Sequence, residues 1–313
     1  MAFEAKTQAY PSNIGTVTIG VGEKAVTLGG NSTLPFYGFD APSANTPKVG
    51  AEIPGSGICA FMQSGLREFY AGCETPAEMA KRAERIDGVS FLCLNLSCAD
   101  PSGENFSVER CVQIAQSVCE ATDLPLAVMG CGNMEKDIAL FAAICPALQG
   151  KRVLIMSAQE ETYQKIAACA FENSHIISAE SSVDINLAKQ LSVLVTQLGI
   201  PAEAIVINAG SAAVGYGFEY VASTLERIRL AALAQNDDLL HMPIITPVST
   251  EVWGVKEAMM SETEMPEWGD AEERGIAMEI STASACLTCG SDAVILRHPD
   301  AIKAIKHMID ALT

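Results

Sequence analysis

The chain has 313 residues, of which 49% are apolar, and a formal net charge of −18. Its length and apolar content suit one large domain with an ample core, while the acidic balance disfavours binding to nucleic-acid phosphates and to anionic membranes. No apolar run reaches the roughly 20 residues that cross a bilayer. Residues 1–12 lack the basic head and apolar segment of a secretory signal, so a cytoplasmic location is expected. The eleven cysteines are then expected to be reduced thiols, which weakly favours a reducing or anaerobic cell.

The first elements along the chain are two short β-rich runs. Ile14–Ile19 and Ala25–Leu28 flank Gly20–Lys24, a pattern that predicts a β-hairpin. The stretch 35–48 is rich in Pro, Gly, Ser and Asn and predicts an irregular connection. We therefore expect an N-terminal hairpin and connection in residues 1–48, plugging the amino-terminal end of a main domain that covers residues 49–313.

Eight apolar, strand-like runs follow, and a helix-like stretch follows each of them. The runs are Val49–Ile53, Phe91–Leu96, Leu126–Met129, Val153–Met156, His175–Ser178, Ala204–Ile207, Ile244–Val248 and Ala293–Leu296. Regular alternation of this kind predicts parallel strands joined by helical crossovers, and eight units predict an α/β fold of the (β/α)8 TIM-barrel type. Function in such a barrel is expected in the loops after the strands.

Helix-capping signals support this alternation. Thr75 and Glu78 have the spacing of a capping box, with a proline at the first helical position. Asn133 is expected to cap the next-but-one helix, and either Ser182 or Asp184 a later apolar helix.

Polar residues and glycines after the predicted strands are the candidate binding residues. They are Asn95, Gly130, Cys131, Gly132, Asn133, Asp184, Asn186, Asn208 and Tyr216. A rim dominated by neutral amides, hydroxyls and glycines suits hydrogen bonding to a large amide-bearing or heterocyclic ligand better than it suits hydrolysis. Structural roles compete with this interpretation: Gly130–Asn133 also fits a tight turn, Asp184 a helix cap, and Tyr216 a turn anchor.

The sequence lacks the usual catalytic and metal-binding patterns. Cys286 and Cys289 form the only CxxC pair, whereas an iron–sulfur cluster needs four well-placed thiolates. The four histidines show no metal-ligand spacing, and neither a nucleophile elbow nor a phosphate loop occurs. We therefore predict no catalytic residue and no metal ligand in this chain.

An acidic stretch, Ser261–Arg274, interrupts the pattern after the seventh strand. With Trp253 and Trp268 it is a candidate surface for partner docking, because aromatic anchors are enriched at interfaces. The alternative is that both tryptophans pack this loop onto the barrel.

Several motifs together carry a family resemblance. They are Leu34-Pro35-Phe36, Asp137 with the preceding Gly-Asn-Met-Glu-Lys, Asp184–Leu191, Gly215–Tyr220, Glu226–Leu233, Trp268-Gly269, Glu273–Gly275 and Arg297-His298-Pro299. Over nearly its whole length the chain resembles the small, delta-type subunit of the corrinoid iron–sulfur protein of the acetyl-CoA (Wood–Ljungdahl) pathway, also found in the acetyl-CoA decarbonylase/synthase complex.

The resemblance implies a non-catalytic subunit of a methyl carrier in carbon dioxide fixation. A base-off corrinoid would lie between this barrel and a large partner subunit, which would also hold the iron–sulfur cluster. The cobalt would receive a methyl group from methyltetrahydrofolate through a separate methyltransferase and pass it to CO dehydrogenase/acetyl-CoA synthase. Neither nucleic acid nor membrane is an implied partner.

The chain departs from the family at some positions. Tyr37 and Asp40 stand where relatives usually have His and Glu, and Asn208-Ala209 replaces a frequent Asp-Pro pair. Contacts at Tyr37, Glu52 and Asn208 are therefore not implied by the resemblance. A barrel that is itself a pterin-dependent methyltransferase, using Asn95, Asp184 and Asn208, is the alternative. A lyase or aldolase ranks last, because no Schiff-base lysine or metal set follows a late strand.

Overall fold

A computed structural model describes residues 6–59 and 62–313. The strands are β1 (Thr16–Ile19), β2 (Val26–Gly29), β3 (Lys48–Pro54), β4 (Val89–Asn95), β5 (Leu126–Met129), β6 (Leu154–Ala158), β7 (Ile176–Glu180), β8 (Ile205–Asn208), β9 (Ile245–Pro247) and β10 (Ala293–Leu296). The helices are α1 (Ser64–Phe69), α2 (Pro76–Ala83), α3 (Val108–Ala121), α4 (Met134–Ala147), α5 (Tyr163–Glu172), α6 (Ile185–Gln197), α7 (Phe218–Gln235), α8 (Val248–Val252), α9 (Lys256–Met259), α10 (Ala271–Cys289) and α11 (Pro299–Leu312). Among residues 6–59 and 62–313, none of the helices combines the length and the hydrophobicity that a membrane span requires.

The eight later strands form one parallel sheet in the order β8-β7-β6-β5-β4-β3-β10-β9. The sheet curls so that its two edge strands meet, and this confirms the predicted barrel. The closing contact is slight: a single parallel bridge joins Ile207 to Ile244, beside a 2.8 Å hydrogen bond from the Ile207 N–H to the Pro243 carbonyl. Strand β9 is shorter than predicted, since Pro247 brings no N–H to a ladder and Val248 already begins α8.

The barrel interior is packed with apolar side chains from successive strands. In β4 the residues from Phe91 to Leu94 are all fully buried. Gly50 on β3 faces this strand, and a Cβ atom there would come within 2.4 Å of the Phe91 ring. The glycine thus allows the large ring to pack across the neighbouring strand.

The hairpin β1–β2 lies across the amino-terminal end of the barrel, as predicted. The Gly20 N–H donates to the Arg152 carbonyl at 2.9 Å, and Arg152 Nε donates to the Thr18 carbonyl at 2.8 Å. The Gly15 N–H donates to the His241 carbonyl at 2.7 Å. Arg152 and His241 precede β6 and β9, so these bonds tie the hairpin to the ends of the chain segments that enter the barrel.

The capping predictions are confirmed. Thr75 and Glu78 form the complete capping box of α2. Asn133 accepts from the Lys136 N–H as the cap of α4, and Asp184, not Ser182, caps α6.

The acidic stretch after β9 is organised by one side chain. Arg274 on α10 donates to the carbonyl oxygens of Glu257, Gly269 and Met260, and its guanidinium lies 5.6 Å from the centre of the Trp268 ring. Trp253 is buried, and its ring occupies the space that a Cβ at Gly275 would need. For Trp253 the docking prediction is therefore wrong: it packs the loop onto the barrel. Trp268 is half-buried and remains a candidate.

Candidate functional site

A cavity of about 280 Å³ opens at the carboxyl end of the barrel strands. Its wall is built by the ends of β4 to β9 and the loops that follow them. The polar residues in the wall are Asn95, Ser97, Asp137, Ser157, Gln159, Thr162, Glu180, Asn208, Ser211, Thr250 and Glu251. Because parallel strands bring their carboxyl ends to one edge, residues far apart in sequence meet here. We refer to this cavity as the barrel mouth.

Asn95 belongs to a buried polar group beneath the mouth. Its Nδ2 donates to Glu52 Oε1 at 2.9 Å, and Arg297 donates to the same oxygen at 2.9 Å. Glu52 is only 2% exposed. Burial would raise the pKa of this carboxyl, but the Arg297 charge and the two hydrogen bonds outweigh burial and hold the pKa below its usual range. Glu52 therefore carries a negative charge in the barrel interior, matched by Arg297.

Asn208 connects two other strands across the mouth. Its Nδ2 donates to Glu180 Oε2 at 3.2 Å and to Ser157 Oγ at 3.1 Å, while its Oδ1 accepts from the Gly210 N–H. Gln159 donates to the other oxygen of Glu180 at 3.0 Å. The amides thus fix the Glu180 carboxylate on one side of the cavity.

A second carboxyl group stands near Glu180. Glu251, in α8, lies at the exposed rim of the mouth. Partial burial and the negative charge of Glu180 both raise its pKa. Two carboxyl groups held this way disfavour an anionic ligand and favour one that presents N–H donors.

The glycine turn after β5 wraps around Asp137. The N–H groups of Cys131 and Gly132 donate to Asp137 at 2.7 and 2.9 Å, and a Cβ at Gly130 would lie 2.5 Å from the Asp137 carboxyl carbon. Burial and Asp137 raise the pKa of the Cys131 thiol to about 11, which leaves it protonated and a poor nucleophile at neutral pH.

Glu279 on α10 clamps the loop after β10. Its two oxygens accept from the N–H groups of Arg297 at 2.7 Å and His298 at 3.0 Å. Complete burial raises the pKa of Glu279 to about 7, although those hydrogen bonds oppose the rise. The loop after β10, whose Arg297 pairs with Glu52 beneath the mouth, is thus held by a carboxyl group that is costly to ionise.

The predicted binding residues divide into two groups. Asn95, the turn Gly130–Gly132 and Asn208 line the barrel mouth. The side chains of Asn133 and Asp184 cap α4 and α6. Asn186 lies exposed on the first turn of α6, and Tyr216 is exposed in the loop before α7. These last four residues do not belong to the cavity wall.

The acidic residues of the mouth are not among the predicted binding residues. The sequence predicts a rim of neutral amides, whereas the structure places the carboxylates of Asp137, Glu180 and Glu251 in the wall and Glu52 beneath it. The rim is therefore more acidic than predicted. Glu52 and Glu180 carried a usable signal, since each is a carboxylate at the carboxyl end of an apolar strand.

The two CxxC cysteines lie away from the mouth, at the end of α10. Cys286 is buried in the core and Cys289 is half-buried beside Glu226. Within residues 6–59 and 62–313, no group of three or more His, Cys, Asp or Glu side chains has the arrangement of a metal site.

Solved structures with the same fold include pterin-related enzymes. Dihydropteroate synthase from Xanthomonas albilineans, solved with 4-aminobenzoic acid, is 14% identical, with a TM-score of 0.58 over 95% of this chain and 98% of that one. The enzyme from Thermus thermophilus is 11% identical, with a TM-score of 0.56 over 95% of this chain and all of that one. At this identity the likeness establishes the TIM-barrel fold alone.

Sequence comparison gives a closer relationship. The acetyl-CoA decarbonylase/synthase complex subunit delta of Archaeoglobus fulgidus is 30% identical over 99% of this chain and 71% of its own length. Subunit delta 2 of Methanosarcina acetivorans is 31% identical over 92% and 66%, and the Methanocaldococcus jannaschii subunit delta is 29% identical over 99% and 77%. The chain thus spans about two thirds to three quarters of these relatives. A family model described as CO dehydrogenase/acetyl-CoA synthase delta subunit matches residues 16–309, and the chain belongs to this family.

Proposed function

We propose that this chain is the small subunit of a heterodimeric corrinoid methyl carrier. The large subunit would contribute the iron–sulfur cluster and share the corrinoid. The methyl group would come from methyltetrahydrofolate through a methyltransferase and go on to acetyl-CoA synthase. The family match over residues 16–309 is the observation that carries the proposal.

The chemistry of the barrel mouth fits a corrinoid laid across it. A cavity of about 280 Å³ is too small for a corrin ring but wide enough for its amide side arms. Glu180, Glu251 and Gln159 offer acceptors for amide N–H groups, and Ser211 Oγ is buried in the wall without a hydrogen-bond partner in the described part of the chain. The cobalt would supply the methyl-carrying chemistry when the group is bound.

The protein's own residues would bind and shield. Asn95 and Asn208 are buried and fixed by hydrogen bonds, so they present a rigid surface at little entropic cost. The Asp137-braced turn lies at the opening, and because the N–H groups of Gly130 to Gly132 are already bonded, it would offer carbonyl groups rather than N–H groups to a ligand. These residues would also keep water away from the face of the corrinoid that lies against the mouth.

The test is anaerobic purification of the chain with its large partner subunit. We expect corrinoid absorbance in the heterodimer and weaker corrinoid retention in Asn208→Leu, which removes one of the two amide donors that hold Glu180. Glu203→Gln, an exposed change at the other end of the barrel, is the control. A heterodimer without corrinoid absorbance would contradict the proposal.

A second candidate is a barrel that itself binds a pterin and transfers its methyl group. The favouring observation is the size of the cavity, which suits a flat two-ring heterocycle, together with a carboxylate, Glu180, held between two amides. The isolated chain would then bind methyltetrahydrofolate and methylate free cobalamin, and Glu180→Gln would abolish both. Absence of binding in calorimetry with the isolated chain would remove this candidate and leave the first intact.

A further inference from the structure

A second cavity, of about 400 Å³, lies at the opposite end of the barrel from the mouth. Pro47 and Asp292 in its wall directly precede β3 and β10, which places it at the amino-terminal end. Residues 31–47 form one side, and the end of α11 forms another. We refer to it as the basal cavity.

One part of the basal cavity is apolar. Ile14, Leu34, Phe36, Tyr37 and Leu312 contribute to this surface. Tyr37 and Leu312 are substantially exposed at its edge, although exposing such large apolar side chains to water is unfavourable. Such a surface suits the body of an apolar or aromatic molecule.

The wall also contains a buried cationic residue, Arg229, which is only 2% exposed. Its Nε donates to the Gly290 carbonyl at 2.6 Å and its Nη2 to the Asp292 carboxylate. Nη1 is buried and has no hydrogen-bond partner in the described part of the chain. Buried N–H donors in folded proteins are almost always paired, so an acceptor is missing here.

The charge of the missing acceptor can be inferred from Asp292. That carboxylate is buried, already balances Arg229, and also accepts from the Ile244 N–H at 2.8 Å. An anion would lose its hydration and meet the Asp292 charge at the same guanidinium. A neutral carbonyl oxygen loses much less hydration than an anion and brings no charge towards Asp292, whether it reaches Nη1 directly or through one water.

The backbone beside the cavity is strained. Phe36 has a φ of 61°, a left-handed conformation that residues with a bulky side chain rarely adopt. Such conformations persist where surrounding structure enforces them, and they cluster at ligand-binding loops. The strain is consistent with a loop shaped around an occupant.

We propose that the basal cavity is a binding site for a small neutral molecule with a flat apolar body and one carbonyl oxygen. Its volume falls within the range of about 300–1,000 Å³ that is usual for small-molecule sites. The site is separate from the barrel mouth and independent of the methyl-carrier proposal.

The probe for the test is prodan, a neutral naphthalene ketone whose emission shifts to the blue in apolar surroundings. We expect one prodan to bind per chain, and 2-(dimethylamino)naphthalene, which lacks the carbonyl, to bind about tenfold more weakly. In Arg229→Met this preference for the ketone should disappear.

Arg229→Met also breaks a buried ion pair, so a second variant is needed. Ala41 is half-buried in the cavity wall, and Ala41→Trp should fill the space and reduce prodan affinity about tenfold or more while leaving the thermal melt unchanged. Ala202→Trp, at an exposed alanine outside the cavity, is the matched control.

Asn208→Leu shows which cavity the probe uses. Retention of prodan binding in Asn208→Leu and its loss in Ala41→Trp support the proposal. Equal binding by wild type and Ala41→Trp, loss in Asn208→Leu alone, or no binding by the wild type would each overturn it.

Discussion

The two ends of the barrel use their polar residues differently. At the amino-terminal end Arg152 bonds the hairpin, and His175 joins the Val153 N–H to the Cys145 carbonyl. In each of these bonds a donor on one chain segment meets an acceptor on another. At the mouth, the charge of Glu180 raises the pKa of Glu251, and behind the loop after β10 Glu279 is buried with a pKa of about 7. The polar residues that hold the hairpin are paired, whereas the mouth brings two carboxyl groups together at a cost in stability, as binding sites commonly do. The basal cavity is the part of the amino-terminal end that shares this cost, through the unpaired Nη1 of Arg229 and the left-handed Phe36.

The largest expected effect comes from breaking the Arg229–Asp292 pair at the amino-terminal end. Asp292→Ala leaves a buried guanidinium without its counter-charge and should reduce the free energy of unfolding by about 3–5 kcal/mol. Urea denaturation measures this loss of stability.

A second variant, Asp292→Asn, keeps an acceptor for the Ile244 N–H and so separates the effect of charge from that of hydrogen bonding. Lys303→Ala, in an exposed pair with Asp300, is the control and should change nothing measurable. A loss below about 1 kcal/mol, the worth of a surface pair, would contradict the assignment of a buried ion pair.

The next effect is the pH dependence of stability that Glu279 adds behind the loop after β10. Its pKa is about 7 in the folded protein and 4.5 in an ordinary setting. Between these values the folded state binds more protons than the unfolded state, so stability falls as pH rises through this window and is flat above it. The loss attributable to Glu279 is roughly 3 kcal/mol.

The measurement is urea denaturation of the wild type and Glu279→Gln at pH 5 and pH 8. The wild type should lose more stability between the two pH values than the variant does. Equal losses in the two proteins would show that Glu279 ionises without cost.

A smaller effect is expected from the hairpin contact. Arg152→Ala removes the hydrogen bond to the Thr18 carbonyl and should destabilise the protein by about 1–2 kcal/mol. Amide hydrogen exchange should accelerate in β1 and β2 more than in β5. The neighbouring exposed change, Lys151→Ala, is the control. Unchanged exchange in the hairpin would mean that apolar packing alone holds it.

The smallest effect has the opposite sign. Glu251→Gln removes the repulsion with Glu180 and should stabilise the protein at pH 7 by less than about 1 kcal/mol, because the group is exposed and solvent screens it. Glu203→Gln is the matched control, and the comparison is made by thermal unfolding. Destabilisation by Glu251→Gln would show that this carboxylate has a favourable partner.

Local signals in the sequence were enough for much of the fold. The capping box at Thr75 and Glu78 is contained within four residues, so the sequence alone predicts it. Helix α1 was not predicted, because its N–H groups are satisfied from far away: Glu272 accepts from Gly65 and Leu66. A cap supplied from more than 200 residues along the chain leaves no local pattern.

In the candidate site too, residues with a local sequence signal were predicted and residues placed by distant parts of the chain were not. Asn95 and Asn208 end apolar strands, so strand order alone places them at the mouth. Glu251 was missed because it lies in α8, where a longer strand was expected to run into a loop. Asp184 stands at a strand-end loop too, but its side chain caps α6, and sequence position cannot decide between these uses.

The barrel closes at one seam by a single bridge, between Ile207 and Ile244, whereas β7 and β8 share four paired positions. Strands joined by so few backbone hydrogen bonds separate most easily, so we expect local opening of the barrel between β8 and β9. Asn208 stands at the end of one side of the seam, and Glu251 follows the strand on the other. Each opening would therefore change the width of the mouth, so the site's shape is coupled to the weakest line in the barrel wall.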